Sequence, residues 1–203
     1  MQTRHLSKTI RLALGNPGKA FRRLWALGKG YRLRAWCKLR GKRLVGARSL
    51  HVFGHLDIRG PGVVELGDGV IIEMRVTAFT YSPHAVIRIG THSFLNGTRF
   101  GCAEEITVGR DAILGESHIF DTDFHSTAAN RWDPNVRARV RAVRLADNVW
   151  VAANAGLLPG TTIGENSVVG FGAICSGPYP ANVVIAGNPA RVLKTIPGAI
   201  EVV

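Results

Sequence analysis

From Leu145 to Pro180 the chain repeats itself every six residues: LADNVW, VAANAG, LLPGTT, IGENSV, VGFGAI, CSGPYP. Large apolar residues hold the first place of each block: Leu145, Val151, Leu157, Ile163, Val169 and Cys175. The fifth place goes to Val149, Ala155, Thr161, Ser167 and Ala173, all compact. An α-helix needs apolar residues three and four apart, and a half-buried strand needs alternation, so neither accounts for a strict six. A fixed short period means stacked equivalent units. A hexapeptide period is that of a parallel β-helix, in which each unit buries its apolar face only against its neighbours.

Weaker copies of the pattern precede this stretch, as LGDGVI IEMRVT from Leu66, IGTHSF LNGTRF from Ile89 and VGRDAI LGESHI from Val108, and the first coil is expected near Val52–Ile58. The starts at Leu66, Ile89, Val108, Leu145 and Ile163 differ by 23, 19, 37 and 18 residues. The step of 37 is two coils, so a long loop leaves the coil over 126–144, and loops extruded from a rigid scaffold carry function. Arg99 and His118 fall on fifth places, where small residues are expected. Either those corners are distorted or a polar pair lies inside.

Charge divides the chain. Residues 1–48 hold fourteen Lys or Arg and no acidic residue, against twelve basic and fourteen acidic in 49–203. The expected organisation is a basic helical segment over 1–48, a solenoid over 49–196 and a tail over 197–203. Lys or Arg recurs too often in 1–48 for a signal peptide or a membrane span. From Phe21, apolar residues recur at helical spacing through Leu24, Trp25, Tyr31, Ala35, Trp36 and Leu39, with Gly28 and Gly30 weakening the helix. Such a helix either lies on anionic lipid or packs on the solenoid or its oligomer with a solvated basic face. A near-neutral solenoid with no recognition motif argues against nucleic acid as a partner. Three cysteines without metal-ligand spacing suggest reduced thiols and a cytoplasmic protein.

The hexapeptide blocks, together with VVIAGNPARVLKTI at Val183–Ile196, resemble the hexapeptide-repeat acyltransferases, in the branch of maltose, galactoside and polysaccharide O-acetyltransferases. The resemblance implies an all-β fold, a left-handed parallel β-helix of three short strands per triangular coil. It also implies a homotrimer with active sites between subunits and acetyl-CoA as donor. Trp150, Ala153 and Phe171 would line the pantetheine path, and Arg191 and Lys194 would meet the phosphates. Asn96 matches an acceptor-binding asparagine, though asparagine also suits a solenoid corner. Glu104 stands where those enzymes tend to carry aspartate.

Directly before the long loop stands FDTDFHST, with His125 where the chain leaves the coil. The resemblance makes His125 the general base. Independently of it, a sugar hydroxyl is a poor nucleophile, and imidazole, whose ordinary pKa is about 6.5, is suited to take its proton near neutral pH. The ring needs an orienting acceptor, for which Asp123, Asp121 or a backbone carbonyl would serve; Asp121 otherwise caps the turn or lines the acceptor pocket. The resulting expectation is transfer of acetyl from acetyl-CoA to a carbohydrate hydroxyl in bacterial surface-polysaccharide assembly, without metal, at the inner face of the membrane. The alternatives are N-acetylation of an amino sugar nucleotide and a metal lyase of the γ-carbonic-anhydrase kind, for which His118 and His125 lack a nearby third histidine.

Overall fold

Each hexapeptide becomes one short strand and one corner. The computed structural model describes residues 16–197. Three faces make a left-handed β-helix of about seven coils. Face A stacks Arg43–Gly46, Val63–Leu66, Val86–Ile89, Glu105–Val108, Val143–Leu145, Thr162–Ile163 and Pro178–Tyr179. Face B stacks His51–Val52, Ile71–Glu73, Phe94–Asn96, Ile113–Leu114, Trp150–Val151, Val168–Val169 and Val183–Gly187, and closes with Ala190–Thr195 returning antiparallel. Face C stacks His55–Arg59, Arg75–Thr80, Arg99–Cys102, His118–Phe120, Gly156–Leu157 and Ile174–Cys175.

The register places Leu66, Ile89, Val108, Leu145 and Ile163 in one inward row, so the uneven spacing in sequence is even in space. Inward Leu, Ile and Val side chains are almost fully buried, each worth roughly 1.5–3 kcal/mol against exposure. The small fifth residues turn the corner, and their hydroxyls tie one coil to the next. Ser93 Oγ donates to Gly109 O at 3.1 Å, Thr161 Oγ1 to Cys175 O at 3.0 Å and Ser167 Oγ to Pro180 O at 3.1 Å.

One expectation needs correction, and one open choice is resolved. The coils begin at Arg43, ahead of both residue 49 and the Val52–Ile58 stretch, because Leu44 is the one inward side chain of a basic strand that carries no hexapeptide signal. Arg99 and His118 do not sit inside. Their coils turn the B–C corner one residue sooner, so the buried corner residues are Thr98 and Ser117 and the two long side chains point outward in register. Arg99 lies over the Phe79 ring at 5.4 Å, and His118 stacks on Phe120 at 5.7 Å.

The helix α1 spans Pro17–Leu39. Asn16 caps it by accepting the Lys19 amide at 3.0 Å, and Pro17 opens it where its missing N–H costs nothing. Its buried residues are the small ones, Ala20, Ala26, Gly30 and Cys37. Gly30 marks the contact: a Cβ there would lie 2.1 Å from Leu50 O. Beside it Lys29 Nζ donates to Phe53 O at 3.1 Å and Gly54 O at 2.7 Å, occupying carbonyls of the terminal coil. α1 is therefore the end cap that a solenoid's open edge requires. Apart from Leu33, which packs against the core, the large apolar residues of the helix face away from the body. Among the described residues no helix is long and apolar enough to cross a membrane.

Candidate active site

At the corner between faces C and A the chain leaves the coil after Phe120 and turns in at Asp121, which is fully buried. The Asp121 carboxylate accepts the backbone amides of Ala103, Glu104 and Glu105 on the preceding coil at 2.7, 2.7 and 2.8 Å. It also accepts the Cys102 thiol at 3.3 Å. Asp121 thus neither lines an acceptor pocket nor orients His125, because its oxygens are taken up in fastening two coils. Burial, and then the neighbouring Asp121 charge, push the Cys102 thiol far above its ordinary range, so it is an inert core thiol and not a nucleophile.

The loop is zipped at its base. The Asp123 amide donates to Arg139 O at 3.1 Å, the Arg141 amide donates to Asp121 O at 2.8 Å, and Thr122 bridges Val140. Phe124 adopts a left-handed backbone, φ +61°, and its ring packs edge-on to Tyr81 and to Phe120 at 5.2 and 5.1 Å. Gly101 makes room for this clasp, since a Cβ there would meet both phenylalanine rings at 2.9 Å. His125 follows immediately. Its amide donates to Asp123 O at 2.7 Å, and its ring stands exposed, 6.5 Å from that of Trp132. Ser126, Thr127 and Arg131 complete an open groove of about 440 Å³ around it.

Asp123 is paired with Arg139 and makes no hydrogen bond to the imidazole. Its two oxygens accept Arg139 Nε at 3.0 Å and Nη2 at 3.3 Å, a forked charge-assisted pair. Asp123 instead holds the returning limb of the loop beside His125. Tyr81 and Phe124 were not singled out by the sequence. The two phenylalanines of FDTDFH were the available signal.

The remaining candidates divide between two places. Glu104 shares the C–A corner with His125 and is exposed. Asn96, half-buried, ends a face-B strand at the B–C corner, where Ala153 and Phe171 stand on later coils, Phe171 71% exposed. Trp150, Val168, Val184 and Lys194 form one outward row on face B, with Arg191 exposed on the closing strand. Within one chain His125 is therefore separated from Asn96 and the donor-side candidates by the breadth of face C, about five residues or roughly 16 Å. Among the described residues no group of three or more His, Cys, Asp or Glu is clustered to hold a metal ion.

Residues 142–177 match the family of bacterial transferase hexapeptide repeats (six repeats). The putative lipopolysaccharide biosynthesis O-acetyl transferase WbbJ of Escherichia coli K12 is 32% identical over 149 residues, which cover 68% of this chain and 74% of that protein. The chain belongs to the hexapeptide-repeat acyltransferases. As such it is an enzyme of acyl transfer. Galactoside O-acetyltransferase of E. coli K12 is a further relative of this acyltransferase, 28% identical over 76% of this chain and 79% of its own length. Among solved structures the fold is shared with the polySia-specific acetyltransferase NeuO, at a TM-score of 0.62 and 19% identity over 80% of this chain and 72% of that one. It is shared also with the hexapeptide-repeat acetyltransferase VCA0836 of Vibrio cholerae, at a TM-score of 0.56 and 21% identity over 94% and 89%.

Proposed function

We propose that this acyltransferase moves acetyl from acetyl-CoA to a carbohydrate hydroxyl of a bacterial surface polysaccharide or its precursor, with His125 as general base. The observation that carries this reading is the exposed His125 ring, held by the Phe124 clasp at the edge of an open groove and free of any hydrogen bond within the described residues. The imidazole takes the hydroxyl proton as the oxygen attacks the thioester carbonyl. The new C–O bond forms, the C–S bond breaks, and the proton passes to the leaving thiolate. A backbone N–H stabilises the oxyanion between these steps. Trp132 and Arg131 suit a sugar ring and an anionic substituent on it, and Glu104 at the same corner would accept a hydroxyl.

The donor would lie along Trp150, Val168 and Val184, an apolar row that suits pantetheine and ends at Lys194, with Arg191 nearby for phosphate. Ala153 and Phe171 would flank it. Since face C parts that row from His125, we infer a homotrimer in which one subunit supplies the base and its neighbour the donor row and Asn96. The outward apolar side chains of Ile113 and Trp150, each half exposed, fit such an interface. We infer a solenoid body from residue 43 to 196, a basic capping segment before it and a tail over 197–203, working in the cytoplasm at the inner membrane face. Relatives named O-acetyltransferases favour oxygen over nitrogen as the acceptor atom.

His125→Ala should lower turnover with acetyl-CoA and a panel of sugars at least about a hundredfold while the sedimenting mass stays trimeric. Undiminished turnover would overturn the base, and a monomeric, active wild type would overturn the shared site.

A further inference from the structure

The helix α1 is inverted relative to an ordinary surface helix. Its small residues and Leu33 touch the body, and six large ones, Phe21, Leu24, Trp25, Tyr31, Trp36 and Leu39, are between 46% and 84% exposed. At 100° per residue these six fall within one sector, opposite Ala26, Gly30 and Cys37. Arg34 and Lys38 border the sector on one side and Arg32 lies within it, whereas on the other side Arg22 pairs with Glu73 at 3.3 Å and Lys29 is held by carbonyls of the terminal coil. Lys29 Nζ lies 4.5 Å from the centroid of the Trp25 ring and the Arg40 guanidinium 5.7 Å from that of Trp36, so each indole carries a cation over its face. An unpartnered apolar sector of this size needs a cover.

We propose that the cover is an anionic lipid bilayer, and that the acyltransferase stands on it end-on through the outer sector of α1. Charge decides the occupant. The segment 1–48 carries fourteen cations and no anion, which suits a surface of phosphate headgroups, whereas a second copy of the same sector would set cationic flank against cationic flank. Aromatic and aliphatic side chains at the acyl boundary with Lys and Arg at headgroup level is the arrangement of an interfacial helix. This inference deepens the proposed function by naming where the acceptor is met. α1 caps the first coil and His125 follows the fourth, so three coils at about 4.8 Å set the base roughly 15 Å beyond the helix. That height suits the sugar of a lipid-linked acceptor and passes over its phosphate.

The full chain should co-sediment with vesicles of phosphatidylcholine mixed with phosphatidylglycerol, much less with phosphatidylcholine alone, and salt should weaken the binding. The double variant Trp25→Ala/Trp36→Ala should bind the anionic vesicles at least about tenfold more weakly, while its acetyl transfer to a soluble sugar stays within about twofold of wild type. His125→Ala should bind vesicles as wild type does, which separates this test from that of the catalytic reading. The proposal is overturned if the wild type ignores anionic vesicles at low salt, if the double variant binds them undiminished, or if the double variant changes the sedimenting mass, which would make the cover another copy of the chain.

Discussion

Asp121 shows how one side chain decides a corner. A carboxylate with no exposure, accepting three successive amides of the coil below, satisfies donors that the departing loop would otherwise leave orphaned in the core. Each orphaned amide costs about 1–3 kcal/mol, so Asp121→Ala should lower unfolding stability on the order of 3 kcal/mol or more. Asp121→Asn, which keeps one acceptor, should lower it less. Urea denaturation followed by circular dichroism measures both, and an unchanged midpoint for Asp121→Ala would refute the fastening role. The sequence offered Asp123 as the orienting partner of His125 and Asp121 as its neighbour at the acceptor pocket. Their burial and partners separate them into a coil fastener and a loop clamp, and neither distinction leaves a mark on the motif FDTDFH.

At the scale of the element, α1 carries its information in two glycines that look alike in sequence. Gly28 faces open space, and a Cβ at Gly30 would enter the backbone of Leu50. Gly28→Ala should stabilise the protein by about 0.4–1 kcal/mol through the unfolded chain alone. Gly30→Ala should destabilise it by about 1–3 kcal/mol by lifting the cap. Melting temperatures of the matched pair test this, and equal shifts would contradict the contact. Helical spacing made the helix legible. Which sector packs inward was not, because hydrophobicity points to the aromatic side, while packing against a flat coil end demands small residues that let the backbones approach.

For the molecule as a whole, the core is one column of inward side chains in which the thiols Cys37, Cys102 and Cys175 are all buried. Burial pushes the Cys175 thiol up from 9.0 to about 11. A raised value in the folded state means that the neutral thiol favours folding below pH 9 and that this contribution is lost as pH rises toward 11. The stability of the wild type relative to Cys175→Ala should therefore fall across that window, as read from urea midpoints at stepped pH, and a constant difference would refute it. The six-residue period by itself determined the β-helix, its inward rows and the point at which the loop departs, because stacking identical units forces a repeat that no helix or flat sheet tolerates. Charge counting likewise set the basic segment apart. Only the tertiary structure decided that Arg99 and His118 point outward, that Asp123 serves Arg139, that α1 turns its aromatic side away from the body, and that face C lies between His125 and the outward row of Trp150 on face B. Those outcomes depend on corner lengths and on contacts between coils distant in sequence, which a local period does not encode.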